Sequence, residues 1–212
     1  MLVSVEKNFI FVHVAKTGGQ ALKNALRPYA VARAPGQWRR LLSHLPVPEG
    51  LDTQFGPHAS ARWAKLKLPR AFFDGAFKFG LVRNPYDLAV SLYSFVRSHP
   101  QHHRHRDARD LTFLEFLKLE ERRGRWRGRD QVSKLTGLGG EMLVDKVYRF
   151  EEMEDAFADI VRRLDLPAAA ELIHKNASPR GPYQDYYTDV ERALVERIWK
   201  RDLDRFGYVF SR

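Results

Sequence analysis

The chain has 212 residues, 44% of them hydrophobic and 29% charged, which is ordinary for a globular protein and predicts one domain, 1–212. The net charge of +10 and the isoelectric point of about 9.9 favour anionic partners such as nucleotides, nucleic acids or acidic glycans. The absence of cysteine excludes disulfide and thiolate chemistry, and the lack of a membrane-spanning apolar run or signal-peptide pattern predicts a cytoplasmic protein, of bacterial origin.

Strand and helix patterns alternate along the chain. In chain order they predict a strand at 8–14, helices at 19–27 and 59–67, a strand at 76–82, helices at 85–98 and 112–122, a strand at 144–150, helices at 153–163 and 188–206, and an edge strand at 208–210. Asn84 is a typical N-cap, and Thr112 with Glu115 and Thr188 with Glu191 form capping boxes. Because strands alternate with helices, we expect an α/β fold with a mostly parallel sheet and helices on both faces.

The first strand runs directly into a glycine-rich turn, Lys16-Thr17-Gly18-Gly19, and then into a helix. Two glycines let backbone N–H groups approach an anion, the threonine hydroxyl is a further donor, and the lysine adds a positive charge at the helix N-terminus. The order of residues is not that of a Walker A loop, in which the lysine and the hydroxyl residue follow the glycines. The turn therefore indicates anion binding, and a magnesium-dependent kinase or ATPase is disfavoured.

A second strand–turn–helix segment has a cation at the corresponding place. Arg83 ends the strand at 76–82, and Ser91 lies eight residues later in the following helix. Ligands collect at the carboxyl ends of strands in open α/β sheets, so a binding role is favoured over a surface ion pair and a solvated serine. Two such segments indicate a ligand with two separate anionic groups.

The two segments, NFIFVHVAKTGGQALKNAL and AFKFGLVRNPYDLAVSLYSFVR, resemble the two cofactor signatures of sulfotransferases that use 3′-phosphoadenosine-5′-phosphosulfate (PAPS). The resemblance is to the carbohydrate branch that includes the heparan-sulfate 2-O-sulfotransferases. It extends more weakly through DQVSKLTG, YRFEEMEDAF and the stretch at 176–210, and Ala15 departs from the proline more usual before the lysine. It implies a three-layer α/β/α, P-loop-NTPase-like sulfotransferase fold and a PAPS donor, with no metal.

The resemblance also implies roles for individual residues. Lys16, Thr17, Gly18 and Gly19 would hold the 5′-phosphosulfate, Lys16 would stabilise the charge on the departing phosphate, and the 3′-phosphate would be held by Arg83 and Ser91. Late contributors to cofactor binding are expected at three positions: Ser178, Arg180 and Gly181.

Sulfuryl transfer to a hydroxyl calls for a general base that is unprotonated near neutrality, as imidazole is. Of the eight histidines, His58 resembles the family's base-bearing histidine, which opens a helix between the two signatures. Its alternative is a capping histidine without a chemical role. His13, within the first strand, is interpreted as a packed strand residue.

Two other classes of protein stay open as alternatives. A nucleotide-dependent phosphotransferase on a related fold would need a Walker A loop and a magnesium-holding aspartate. A nucleic-acid-binding module would use the basic stretch at 104–129, which otherwise forms a solvated surface or a rim that attracts an acidic substrate. A metal site among the histidines at 99–105 has no supporting carboxylate partner.

The acceptor is expected to be a hydroxyl of a glycan, a lipid or a small molecule, and carbohydrate is favoured. No nucleic-acid partner and no integral membrane segment are expected.

Overall fold

The computed structural model describes residues 1–31, 41–42, 45–53, 55–56, 58–124, 130–167 and 180–211. The chain divides into two compact units. The sheet unit comprises Met1–Val82 and Ser133–Lys175, and the helical unit comprises Arg83–Val132 and Asn176–Arg212. The assignment of 1–212 to a single domain stays a prediction. None of the helices in the described residues has the length and apolarity that crossing a membrane requires.

The sheet unit contains a four-stranded sheet in the order β1-β2-β3-β4. The strands are β1 (Leu2–Ser4), β2 (Phe9–Val12), β3 (Phe77–Val82) and β4 (Lys146–Arg149). β1 is antiparallel to β2, whereas β2, β3 and β4 are mutually parallel. The predicted α/β class with a mostly parallel sheet is confirmed.

Ten α-helices are described in chain order. They are α1 (Gly19–Leu26), α2 (Ala61–Lys67), α3 (Arg70–Gly75), α4 (Pro85–Ser98), α5 (His105–Ala108), α6 (Phe113–Gly124), α7 (Val132–Leu135), α8 (Met153–Arg163), α9 (Asp189–Ile198) and α10 (Lys200–Phe206). Single 3₁₀ turns lie at Arg27–Tyr29, Phe150–Glu152 and Tyr183–Tyr186.

The core of the sheet unit follows from the two-residue period of its strands. Alternate residues of β2 and β3 face one side of the sheet, where Phe11 stacks on Phe79 with ring centroids 5.3 Å apart. The apolar faces of α1 and α8 complete this cluster. Gly80 lies between Phe79 and Leu81 in β3 and therefore faces the opposite side of the sheet. A Cβ on Gly80 would lie 2.6 Å from Leu135 of α7. Helices therefore cover both faces of the sheet.

The helical unit has its own core, formed mainly by α4, α6 and α9. Val90 and Val96 of α4, Phe116 and Leu117 of α6, and Val195 of α9 are all fully buried. Burial of this apolar surface holds the three helices together.

Local capping predictions are confirmed. Asn84 caps α4 by accepting a hydrogen bond from the Tyr86 N–H, and α4 ends at Ser98 as expected. Thr188 forms the predicted capping box with Glu191 at the start of α9. At Thr112, the Glu115 carboxylate accepts a bond from the threonine backbone N–H, and the threonine hydroxyl accepts one from the Glu115 N–H.

Other element predictions need correction. The sequence interpretation missed β1, α3, α5 and α7. The helix expected at 188–206 is divided at Trp199, whose backbone leaves the helical region between α9 and α10. No strand forms at 208–210, because Phe210 instead packs its ring against Tyr86, Tyr183 and Tyr187.

Candidate functional site

In the sheet unit, the turn between β2 and α1 has an unusual backbone. Lys16 has φ 65° and Gly18 has φ 71°, both in the left-handed region, which an L-residue such as lysine adopts at a cost of about 1–2 kcal/mol. Thr17 is fully buried, and its hydroxyl donates to the Val14 carbonyl over 3.0 Å. In this structure the Thr17 hydroxyl therefore closes the turn, while the Lys16 side chain is half-buried.

Both glycines of the turn are required by close neighbours. A Cβ on Gly18 would lie 2.5 Å from the Phe150 ring, and one on Gly19 would lie 2.3 Å from the His13 ring. Gly18 is the N-cap of α1, so the turn leads directly into the helix N-terminus. The first N–H groups of a helix have no acceptor within the helix and carry its positive dipole end, which suits an anion.

His58 packs against His13, and the His13 ring in turn lies against Gly19 of this turn. The two imidazole rings have centroids 5.1 Å apart, and His58 Nδ1 lies 3.4 Å from the His13 carbonyl oxygen. A carbonyl only accepts, so the hydrogen of neutral His58 sits on Nδ1 and its lone pair on Nε2. The structure thus brings His58 to the neighbourhood of the Lys16–Gly19 turn and orients it with an accepting nitrogen.

Partial enclosure lowers the pKa of His58 from its ordinary value of 6.5. The hydrogen bond to the His13 carbonyl opposes this effect, and the positive charges of Lys134 and Lys23 add to it. Lys134 also donates to the His58 carbonyl over 3.3 Å. The imidazole is therefore neutral at pH 7 and able to accept a proton.

In the helical unit, a single carboxylate joins two of the predicted cofactor residues. Arg83 donates to Asp87 through Nε over 2.7 Å, and its Nη2 lies 2.6 Å from the same oxygen. Arg180 donates to the other carboxylate oxygen of Asp87. Both guanidinium groups are largely buried, and the three side chains carry a net formal charge of +1 (two cations and one anion). A phosphate group would suit this cluster.

Ser91 is buried, with 4% of its surface exposed, so it is not a solvated helix residue. It lies four residues after Asp87 in α4, which places the two side chains on one face of the helix. Gly181 directly follows Arg180 in the chain. Ser178 lies outside the described residues. The structure therefore groups Arg83 and Arg180 around Asp87, with Ser91 on the next turn of α4.

The sequence reasoning missed two residues that organise these groups. Asp87 is not among the site residues predicted from the sequence, although its spacing of four residues from Arg83 is a readable signal for an ion pair. His13 was interpreted as a packed strand residue, and it is buried, but its ring also supports His58. No cluster of three or more histidine, aspartate or glutamate side chains suited to a metal occurs in the described ranges, and the absence of a metal stays a prediction.

Comparisons with known proteins find a matching family and similar folds. A family model described as the sulfotransferase family matches residues 1–209. Nine chains of solved structures match, among them the crystal structure of mouse sulfotransferase SULT7A1 complexed with PAP. That match has a TM-score of 0.53 and 13% sequence identity, and it covers 94% of this chain and 85% of the mouse chain. A search of curated protein sequences finds no significant match.

Proposed function

Because the chain belongs to the sulfotransferase family, we propose that it transfers a sulfuryl group from PAPS to an acceptor hydroxyl. The observation that carries this proposal is the turn at Lys16–Gly19, which places a half-buried lysine beside the N-terminus of α1. The mouse structure complexed with PAP, the nucleotide product of such a transfer, supports PAPS as the donor. When bound, PAPS supplies a sulfuryl group whose transfer leaves PAP.

Lys16 and the backbone N–H groups at the start of α1 bind the 5′-phosphosulfate. The turn offers positive charge from the lysine and from the helix N-terminus. Lys16 stabilises the negative charge that develops on the bridging oxygen as the bond from sulfur to that oxygen breaks. Thr17 closes the turn through Val14, and Gly18 and Gly19 let the Phe150 and His13 rings pack against the turn.

His58 acts as the general base. Its Nε2 accepts the proton of the acceptor hydroxyl as the acceptor oxygen bonds to sulfur. The hydrogen bond from Nδ1 to the His13 carbonyl holds the ring in the tautomer that this task needs. The lowered pKa keeps the ring neutral in the physiological range.

Arg83 and Ser91 hold the 3′-phosphate, with Arg180 as the second guanidinium group and Ser178 and Gly181 as further contributors. Support comes from the burial of Arg83, Ser91 and Arg180 and from the shared Asp87, which keeps two cations near one another. Guanidinium groups suit phosphate because they can donate two parallel hydrogen bonds.

The proposed acceptor is a carbohydrate hydroxyl, with a lipid or small-molecule hydroxyl as the alternative. The net charge of +10 supports an acidic glycan, since a basic surface attracts such chains. The proposed setting is the bacterial cytoplasm, without nucleic acid as a partner.

The test is transfer of ³⁵S from labelled PAPS to an extract of the source organism, with the product identified by mass spectrometry. We expect a labelled sulfate ester with the wild-type protein and little with Lys16→Ala, and no loss of activity on addition of EDTA. Activity that EDTA abolishes and magnesium restores would instead indicate a phosphotransferase.

A further inference from the structure

Gln131 holds the backbone of Arg83 through both of its polar groups. Its Oε1 accepts from the Arg83 N–H over 2.8 Å, and its Nε2 donates to the Arg83 carbonyl over 2.8 Å. Gln131 is 1% exposed, so no water competes for these bonds. A side-chain amide that pairs with both backbone groups of one residue fixes the two adjoining peptide planes, as a neighbouring strand would.

Gln131 is in turn fixed by Asp202 of α10. One carboxylate oxygen accepts from the Gln131 N–H and the other from the Val132 N–H, each over 2.9 Å. Asp202 is fully buried. Burial raises the pKa of Asp202 to about 7, while its two bonds to backbone N–H groups act in the opposite direction. Burying a carboxyl group is energetically unfavourable, so its presence here indicates that its two hydrogen bonds are important for this part of the structure.

The bonds from Gln131 use the backbone of Arg83 and leave its guanidinium group to Asp87. They can therefore persist when the guanidinium group engages an anion. The direction of a long side chain depends on its backbone, so a fixed backbone limits the positions that the guanidinium group can reach.

We propose that Gln131, supported by Asp202, is a positioning residue that sets the affinity for a nucleotide 3′-phosphate through Arg83. This inference rests on the proposed function, in which Arg83 binds that phosphate. Gln131 does not touch the nucleotide in this proposal. It lowers the cost of ordering Arg83 on binding, since pre-organised groups lose less freedom.

The test compares PAP with AMP, which lacks the 3′-phosphate, by calorimetry on wild type, Gln131→Ala and Gln131→Glu. For Gln131→Ala we expect the Kd of PAP to rise about tenfold and that of AMP to stay unchanged. Gln131→Glu keeps an acceptor for the Arg83 N–H but sets a buried carboxylate oxygen against the Arg83 carbonyl oxygen, so its loss should be at least as large as that of Gln131→Ala. In steady-state assays Gln131→Ala should raise KM for PAPS with kcat nearly unchanged.

Several results would overturn the inference. If Gln131→Ala weakened the binding of PAP and AMP equally, Gln131 would have a general structural role. If Gln131→Ala folded and its Kd for PAP were unchanged, Gln131 would have no role in positioning Arg83. If Gln131→Ala does not fold, Gln131→Glu carries the test, and equal PAP-to-AMP ratios in Gln131→Glu and wild type count against the inference. Wild type that binds PAP and AMP equally would contradict the proposed function itself, so the two failures are separated by the protein in which they appear.

Discussion

Lys16 has a left-handed backbone, so the strain in its backbone can be measured separately from the role of its ammonium group. Lys16→Gly and Lys16→Ala both remove the ammonium group, but only glycine adopts φ 65° without strain. We expect the glycine variant to have a free energy of unfolding about 1 kcal/mol higher than the alanine variant. Denaturant unfolding of the two variants measures this difference.

The same two variants test the role of the Lys16 charge. If it stabilises the leaving group, both should lose about 10²-fold or more in kcat while retaining part of their nucleotide affinity, which the backbone N–H groups supply. Lys16→Arg, which keeps a positive charge, serves as the control and should retain more activity than either. A normal kcat with only a raised KM for PAPS would reduce Lys16 to a binding residue.

His58 gives a prediction for the pH dependence of the reaction. The base acts in its neutral form, and the pKa of His58 is lowered. Its protonation therefore has a midpoint below pH 6.5, and the acid limb of kcat/KM should have its midpoint below that value. A midpoint above 6.5 would contradict the assignment of this histidine as the base.

His58→Ala tests the same residue directly. We expect turnover to fall about 10²–10⁴-fold, the range for a positioned base, while binding of PAP by calorimetry stays normal. The binding measurement is needed because His58 also packs on His13. Near-normal turnover on the true acceptor would transfer the role of base to another residue.

Among the secondary-structure elements, the sequence predicts the features that depend on residues close together in the chain. The cap at Asn84 and the capping box at Thr188 depend on residues two or three positions away, so they are visible in the sequence. β2, β3 and β4 were also found, although each is shorter than predicted, because their aromatic and β-branched runs are typical of buried strands.

The missed elements depend on distant partners. β1 has only three residues and is defined by its antiparallel pairing with β2. The α9–α10 helix pattern is continuous in sequence, but it is interrupted at Trp199, and Asp202 beyond the break accepts bonds from backbone N–H groups about 70 residues away. In the run at 208–210, Phe210 packs its ring on Tyr86 and Tyr187 instead of joining the sheet.

The turn between β2 and α1 predicts a contrast between two glycines. Gly18→Ala places a Cβ within 2.5 Å of Phe150 at a positive φ, so we expect a loss of about 1–3 kcal/mol in the free energy of unfolding. Gly75→Ala is the matched control, because a Cβ there meets nothing within 4 Å. Equal unfolding midpoints for the two variants would contradict the packing described at the turn.

In the molecule as a whole, the candidate site residues that lie in short sequence motifs could be predicted from the sequence. The Lys16–Gly19 turn, His58 and Arg83 were identified from short motifs and from the family resemblance. The contacts that organise them were not, since Arg180 reaches Asp87 across 93 positions and Gln131 reaches Arg83 across 48. Such pairs are set by the tertiary fold and leave no local pattern in one sequence.

We propose that this chain binds an adenosine nucleotide through separate 5′ and 3′ anionic groups. The most direct measurement is calorimetric titration of the wild-type protein with PAP and, in parallel, with AMP. The loss of one charge-assisted anchor predicts that AMP binds at least about tenfold more weakly than PAP. Equal affinity for PAP and AMP would contradict the assignment of Arg83 and Ser91, and with it the proposed use of PAPS.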